Sequence, residues 1–208
     1  MPSNKKALAA LSKSDDFMAR LVAEHGELDT EERRRGRPAD AYGALVRSIV
    51  GQQLSTKAAR SIYTRLADRF GGRAPTPREL LDSDPDDIRS VGLSRAKVAY
   101  LRDLAEHIER GELDLEGLPE LSDEEVSAQL TAIKGLGQWT VDMFLIFHLG
   151  RPDVLPVGDL GIRRAAQIAY DLDELPDAAE LERIAEPWRP WRSLACLYLW
   201  RSLDNEPG

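Results

Sequence analysis

Residues 130–164 read LTAIKGLGQWTVDMFLIFHLGRPDVLPVGDLGIRR, and the fold turns on this stretch. A Gly-x-Gly turn, Gly135-Leu136-Gly137, joins two segments whose apolar residues recur at helical spacing. Leu130 and Ile133 before the turn, with Val141 and Phe144 after it, give apolar anchors on both sides. The glycines permit a backbone path closed to bulkier residues. A tight turn between helices leaves backbone N–H groups able to face an anion such as a phosphate. Asp159 follows inside an otherwise apolar, glycine-containing stretch. Together these features point to a turn that holds a phosphate and a carboxylate that acts on whatever the phosphate carries.

Working outward, almost every segment reads as helix. Apolar positions Leu8, Leu11, Phe17, Met18, Leu21 and Val22 predict one helix over 4–24. Residues 27–40, with Gly36 and Pro38, read as a loop whose Arg33-Arg34-Arg35 run is a solvated face or a DNA contact. A strong apolar helix over 42–50 is interrupted at 51–54 (GQQL). Ser55 caps the next helix, 56–70, which Gly71-Gly72 ends. Thr76-Pro77-Arg78-Glu79 and Ser122-Asp123-Glu124-Glu125 both have the spacing of a capping box. Further helices are expected over 85–91, 94–110, 122–134, 138–148, 159–170, 177–186 and 190–203. An extended piece is expected over 150–158. No stretch alternates as a strand does, so the expectation is an all-α fold without a solenoid repeat.

Composition narrows the field further. The chain has 208 residues, 42% of them hydrophobic, which is ample for a core. A net charge of −8 argues against a general electrostatic DNA binder and leaves room for a local basic face. The single cysteine, Cys196, excludes an internal disulfide and any cluster that needs four thiolates. His25, His107 and His148 are too dispersed to suggest a metal site. No apolar run reaches membrane-spanning length and the N-terminus lacks a signal-peptide pattern. A cytoplasmic, nucleoid-associated monomer is expected.

The pattern Leu-x-x-Ile-Lys-Gly-Leu-Gly-x-Trp-Thr over 130–140 is far more specific than a bare glycine turn. It resembles the helix–hairpin–helix DNA glycosylase superfamily, and within it the 3-methyladenine DNA glycosylase II, or alkylation-repair, branch. The resemblance covers roughly residues 40–204. VRSIVGQQLS (46–55), VGLSRAK (91–97) with Tyr100-Leu101, VGDLGI (157–162) and WRPWRS (188–193) support it in the family's order. It implies two helical subdomains with a cleft between them and no N-terminal β domain. Residues 1–38 would pack with the C-terminal helices. Residues 39–148 would form a central subdomain ending in the hairpin motif (about 124–148). Residues 149–208 would hold the catalytic-aspartate loop and the C-terminal helices.

The resemblance also implies roles. Asp159, twenty positions after Trp139 as in the family, matches the catalytic aspartate. Breaking an N-glycosidic bond builds positive charge on the deoxyribose, and a fixed carboxylate stabilises that charge and orients or deprotonates water. The competing reading is that Asp159 only caps the helix that follows it. Trp139 stands where bifunctional relatives carry a Schiff-base lysine, so no lyase step is expected. Trp139 and Trp200 match aromatic pocket positions able to take a cationic purine by a cation–π contact. Met143 stands where better-known members have tyrosine. Trp188 and Trp191 read as core.

Gln53, with Leu54 beside it, matches the wedge that fills the gap left by an extruded nucleotide. The alternative is that Gln52 and Gln53 only hydrogen-bond within their loop. Phosphate contacts fall to Lys134, Gly135 and Gly137. Arg95, Lys97 and Arg163 read as DNA contacts or as plain surface charge. A monovalent cation (sodium or potassium) on the carbonyls of Thr131, Ile133 and Leu136 is implied by family position alone. No other cofactor and no iron–sulfur cluster are expected. The implied partner is double-stranded DNA with alkylated bases, with no membrane. Two other functions remain open at this point. One is a glycosylase for deaminated or oxidised bases. The other is a non-catalytic helix–hairpin–helix module that binds DNA structure or a partner.

Overall fold

A computed structural model describes residues 4–28 and 38–203. The Arg33-Arg34-Arg35 run lies outside the described residues. Among those described there are helices and no strand, as expected of an all-α fold. In chain order the α-helices are α1 (Asn4–Ser14), α2 (Asp16–His25), α3 (Ala41–Gly51), α4 (Thr56–Asp68), α5 (Pro77–Asp82), α6 (Pro85–Arg89), α7 (Arg95–Glu109), α8 (Asp123–Thr131), α9 (Gln138–Phe144), α10 (Leu160–Ala169), α11 (Ala178–Ala185) and α12 (Arg192–Ser202). None of these is long and apolar enough to cross a membrane.

The helix starts are written locally in the sequence. Ser55, Ser94 and Asp177 each accept a first-turn N–H through the side chain. At Thr76/Glu79 and Ser122/Glu125 both halves of the capping box form. The single helix expected over 4–24 is instead two. Asp15 is extended and its Oδ1 accepts the Met18 N–H at 2.8 Å, so the chain restarts there. Its other oxygen, Oδ2, accepts from Tyr170 Oη and Trp188 Nε1, both at 2.9 Å. Those long-range bonds supply the reason for the break. The helix expected over 138–148 also changes character, passing from α9 into a π-helical turn over Leu145–Leu149. The helix leading into the hairpin stops at Thr131 rather than Lys134.

The chain divides into two compact units: Met1–Arg35 with Leu145–Pro207, and Gly36–Phe144. In the first, α2 and α10 pack on α12. Every residue of α12 from Ser193 to Trp200 is buried, so this helix forms the unit's core rather than a one-sided face. Trp188 is buried too, whereas Trp191 is half-exposed. In the second unit α3 packs on α4 and α7. Leu45, Val46, Ile49 and Val50 of α3 and Leu101 and Leu104 of α7 are all buried in its core. Each such side chain contributes about 1.5–3 kcal/mol of burial. Leu130, Ile133, Val141 and Phe144, the expected hairpin anchors, are all buried.

Candidate active site

In the unit Gly36–Phe144 the chain between α8 and α9 makes the glycine turn. Gly135 has φ 84°, a left-handed conformation that glycine adopts without strain. A Cβ there would also run into the Tyr100 ring. Gly135 is thus demanded by both backbone and packing. Gly137 is exposed and has open space beside it. Its carbonyl accepts the Thr140 N–H at 2.9 Å, starting α9. Among the described residues, nothing accepts a hydrogen bond from the N–H of Gly135 or of Gly137. The N–H of Leu136 between them donates to the Ile133 carbonyl at 3.1 Å, so the turn leaves two alternate N–H groups of the kind that can face an anion.

Lys134 is more committed than its sequence position suggests. Its N–H donates to Asp103 Oδ2 at 2.9 Å, and its ammonium lies 3.1 Å from Asp103 Oδ1. Partial burial pushes the Asp103 carboxyl up. The Lys134 N–H and ammonium, with His107, outweigh it and hold the carboxyl below its usual range. The Lys134 side chain remains exposed, a cation already partnered by Asp103.

The loop after α3 separates Gln52 from Gln53. Gln52 Nε2 donates to the Gly135 carbonyl at 2.6 Å. Gln53 is exposed and has φ 57°, a region that non-glycine residues seldom occupy. Leu54 beside it is also exposed. Lys97, at the start of α7, donates through Nζ to the carbonyls of Val50 (2.8 Å) and Gln52 (2.7 Å). Burial lowers its pKa. Lys97 is therefore a structural cation. Arg163 Nε likewise donates to the Pro176 carbonyl. The roles of Gln52, Lys97 and Asp103 escaped sequence reasoning because each depends on a partner far along the chain.

Trp139 and Met143 stand four residues apart on α9, hence on one face. Trp139 is 41% exposed and Met143 is buried. Trp139 lies in the first turn of a helix that is otherwise buried from Thr140 onward.

In the unit that contains Leu145–Pro207, Asp159 is the N-cap of α10. Its Oδ1 accepts the Ile162 N–H at 2.8 Å and the Trp200 Nε1–H at 2.9 Å. Asp159 as a whole is only 7% exposed. Capping and fixing the carboxylate are thus the same arrangement. The Trp200 indole, 2% exposed, stacks on Phe147 with centroids 5.9 Å apart. Gly161 makes room for it: a Cβ there would lie 3.1 Å from Asp159 Oδ1 and 3.2 Å from Trp200 Cδ1.

For a cation at the hairpin the donors are neutral carbonyls, which suit a hard monovalent ion. The Ile133 carbonyl accepts the Leu136 N–H at 3.1 Å, while no described backbone N–H bonds the Thr131 or Leu136 carbonyl. Two such carbonyls fit the ion. No group of three or more His, Cys, Asp or Glu suited to a metal occurs among the described residues.

A glycine turn that joins two helices, α8 and α9, is the architecture of a helix–hairpin–helix protein. Residues 46–190 match the HhH-GPD superfamily of base excision DNA repair proteins, and the chain belongs to that superfamily. It is similar to DNA-3-methyladenine glycosylase 1 of Schizosaccharomyces pombe: 36% identical over 199 residues, covering 95% of this chain and 86% of that one. The solved structure of the S. pombe 3-methyladenine DNA glycosylase in complex with abasic DNA superposes with a TM-score of 0.84 at 35% identity, over 96% of this chain and 97% of that one. The DNA-3-methyladenine glycosidase of Bacillus halodurans gives a TM-score of 0.80 at 37% identity, over 97% and 89%.

Proposed function

We propose that this chain is a monofunctional DNA glycosylase that hydrolyses the N-glycosidic bond of alkylated purines, of the 3-methyladenine and 7-methylguanine type, in double-stranded DNA. The observation that carries the reading is Asp159: a buried carboxylate whose Oδ1 is held by two donors. Similarity to glycosylases of that name supports the substrate class.

The chemistry follows from the leaving group. A methylated purine is cationic while attached and neutral once released. Its departure needs no acid, and the bond between C1′ and the purine nitrogen breaks with the electron pair going to the base. Positive charge then grows on the sugar, where the fixed Asp159 carboxylate stabilises it without reorganising. Water adds to C1′ and its proton passes to the carboxylate. The products are the free base and an abasic site with its phosphodiesters intact. No amine stands at 139 to form a Schiff base, so the strand is not cut.

Trp139 offers its indole face to the cationic base, with Met143 on the same helix face as a polarisable wall. Trp200 takes part by orienting Asp159. Gln53 and Leu54 fill the gap left by the extruded nucleotide. The N–H groups of Gly135 and Gly137, with Lys134, hold the backbone. A hairpin cation on Thr131, Ile133 and Leu136 would add positive charge at that phosphate.

The test is a panel of duplexes, each with one lesion. Release of 7-methylguanine with strand breakage only after alkali is the expected result. Release confined to hypoxanthine, uracil or 8-oxoguanine would assign the protein to deaminated or oxidised bases. Tight binding without any release would make it a non-enzymatic module.

A further inference from the structure

Helix α7 carries Lys97, Tyr100 and Asp103 at three-residue spacing, which places them along one helical face. Each fastens a different piece of the DNA-facing machinery. Lys97 Nζ holds the carbonyls of Val50 and Gln52 at the base of the Gln53 loop. The Tyr100 ring fills the space that Gly135 leaves empty. Asp103 takes both the N–H and the ammonium of Lys134. Gln52 closes the circuit by donating to the Gly135 carbonyl at 2.6 Å.

The Gln52 carbonyl belongs to the peptide plane that leads into Gln53. Holding that oxygen restrains φ at Gln53, which sits at 57°. A non-glycine residue stays in that region only where its surroundings over-determine it. The loop and the hairpin are thus bolted to the same helix face and to each other.

We propose that this face of α7, together with Gln52, is a positioning device. It fixes the register between the inserting side chain, Gln53, and the phosphate-gripping amides of Gly135 and Gly137. Lys97 and Gln52 act through Gln53 and touch no substrate themselves. The inference rests on reading Gln53 as the wedge. Insertion at one point of a duplex while gripping a phosphate at another needs a constant spacing, and a loop free to drift loses it.

A double-mutant cycle tests this. Lys97→Met keeps the side chain's length and apolar stem and deletes the ammonium. The probe is a duplex with one abasic site, compared with an undamaged duplex, and melting curves report on folding. Lys97→Met is expected to weaken abasic-duplex binding about tenfold, the scale of a lost charge-assisted hydrogen bond, and undamaged-duplex binding by less than about twofold. In a Gln53→Ala background the same change is expected to alter abasic binding by less than about twofold, and Lys97→Arg to recover part of the loss. Gln52→Ala, at a half-buried loop position that opens no core, is expected to behave alike if Lys97→Met fails to fold.

Equal losses in both backgrounds, or on both duplexes, overturn the proposal. So does a Gln53→Ala protein with unchanged abasic binding, since the wedge itself then falls. If the wild type releases no methylated base while the coupling holds, the glycosylase reading fails and the positioning device stands.

Discussion

Gly161→Ala sets two opposing effects against each other. Alanine is the better helix residue, and the gain within a helix is roughly 0.5–1 kcal/mol. The added Cβ, however, would lie 3.1 Å from Asp159 Oδ1, 3.2 Å from Trp200 Cδ1 and 3.4 Å from Trp200 Nε1. Neither neighbour yields easily. Trp200 is buried against Phe147, and Asp159 Oδ1 is held by the Ile162 N–H. Over-packing of this kind costs about 1–3 kcal/mol. The expected net change is therefore a loss of roughly 0–2.5 kcal/mol, a melting temperature lowered by at most several degrees for a chain this size. Activity should suffer more. Prising the indole from the carboxylate weakens a charge-assisted hydrogen bond worth about 1.5–3 kcal/mol, so single-turnover release of 7-methylguanine should fall roughly 10- to 100-fold. Gly158→Ala is the control, because open space surrounds that position. A Gly161→Ala protein that turns over at the wild-type rate would refute the claim that the indole fixes the carboxylate.

Trp200→Phe keeps a ring beside Phe147 but deletes the N–H, and should slow release about tenfold in the same assay. Gly135→Ala forces a methyl into the Tyr100 ring at a left-handed φ, and should lower stability in urea by about 2 kcal/mol or more. Lys134→Ala should change the salt dependence of DNA binding by less than the roughly 0.9 expected of a lone cation, because Asp103 already partners it. The Asp103 carboxyl titrates lower when folded than when unfolded, so its contribution is complete above the unfolded value and is lost as pH falls through the folded one. Urea midpoints of the wild type should therefore drop more between about pH 5 and 3 than those of Asp103→Asn.

What the sequence revealed and what it hid divide along physical lines. The capping boxes at Thr76 and Ser122 were legible because a cap is a contact between residues three apart. The hairpin anchors were legible because burial imposes a period. The break at Asp15 was masked, since apolar residues keep their helical spacing straight through it. Ser14-Asp15-Asp16 carried the one local signal, and its purpose appears only with Tyr170 and Trp188. The π turn over Leu145–Leu149 is apolar apart from His148 and gives no periodic hint. At the site, residue types pointed to Asp159 and to the glycines. That Trp200 is the donor holding Asp159 was invisible, because 41 residues separate them. The division of labour between Gln52 and Gln53 was hidden as well: two identical neighbours differ only in where the backbone sends them.

Asp159→Asn tests the account at its centre. Asparagine is nearly isosteric, and its Oδ1 can still accept from Ile162 and Trp200, so the cap and the fold persist while the charge is lost. Single-turnover release of 7-methylguanine is expected to fall at least about 100-fold, with abasic-duplex binding kept within a few-fold. Release at the wild-type rate from a properly folded Asp159→Asn protein would contradict the account.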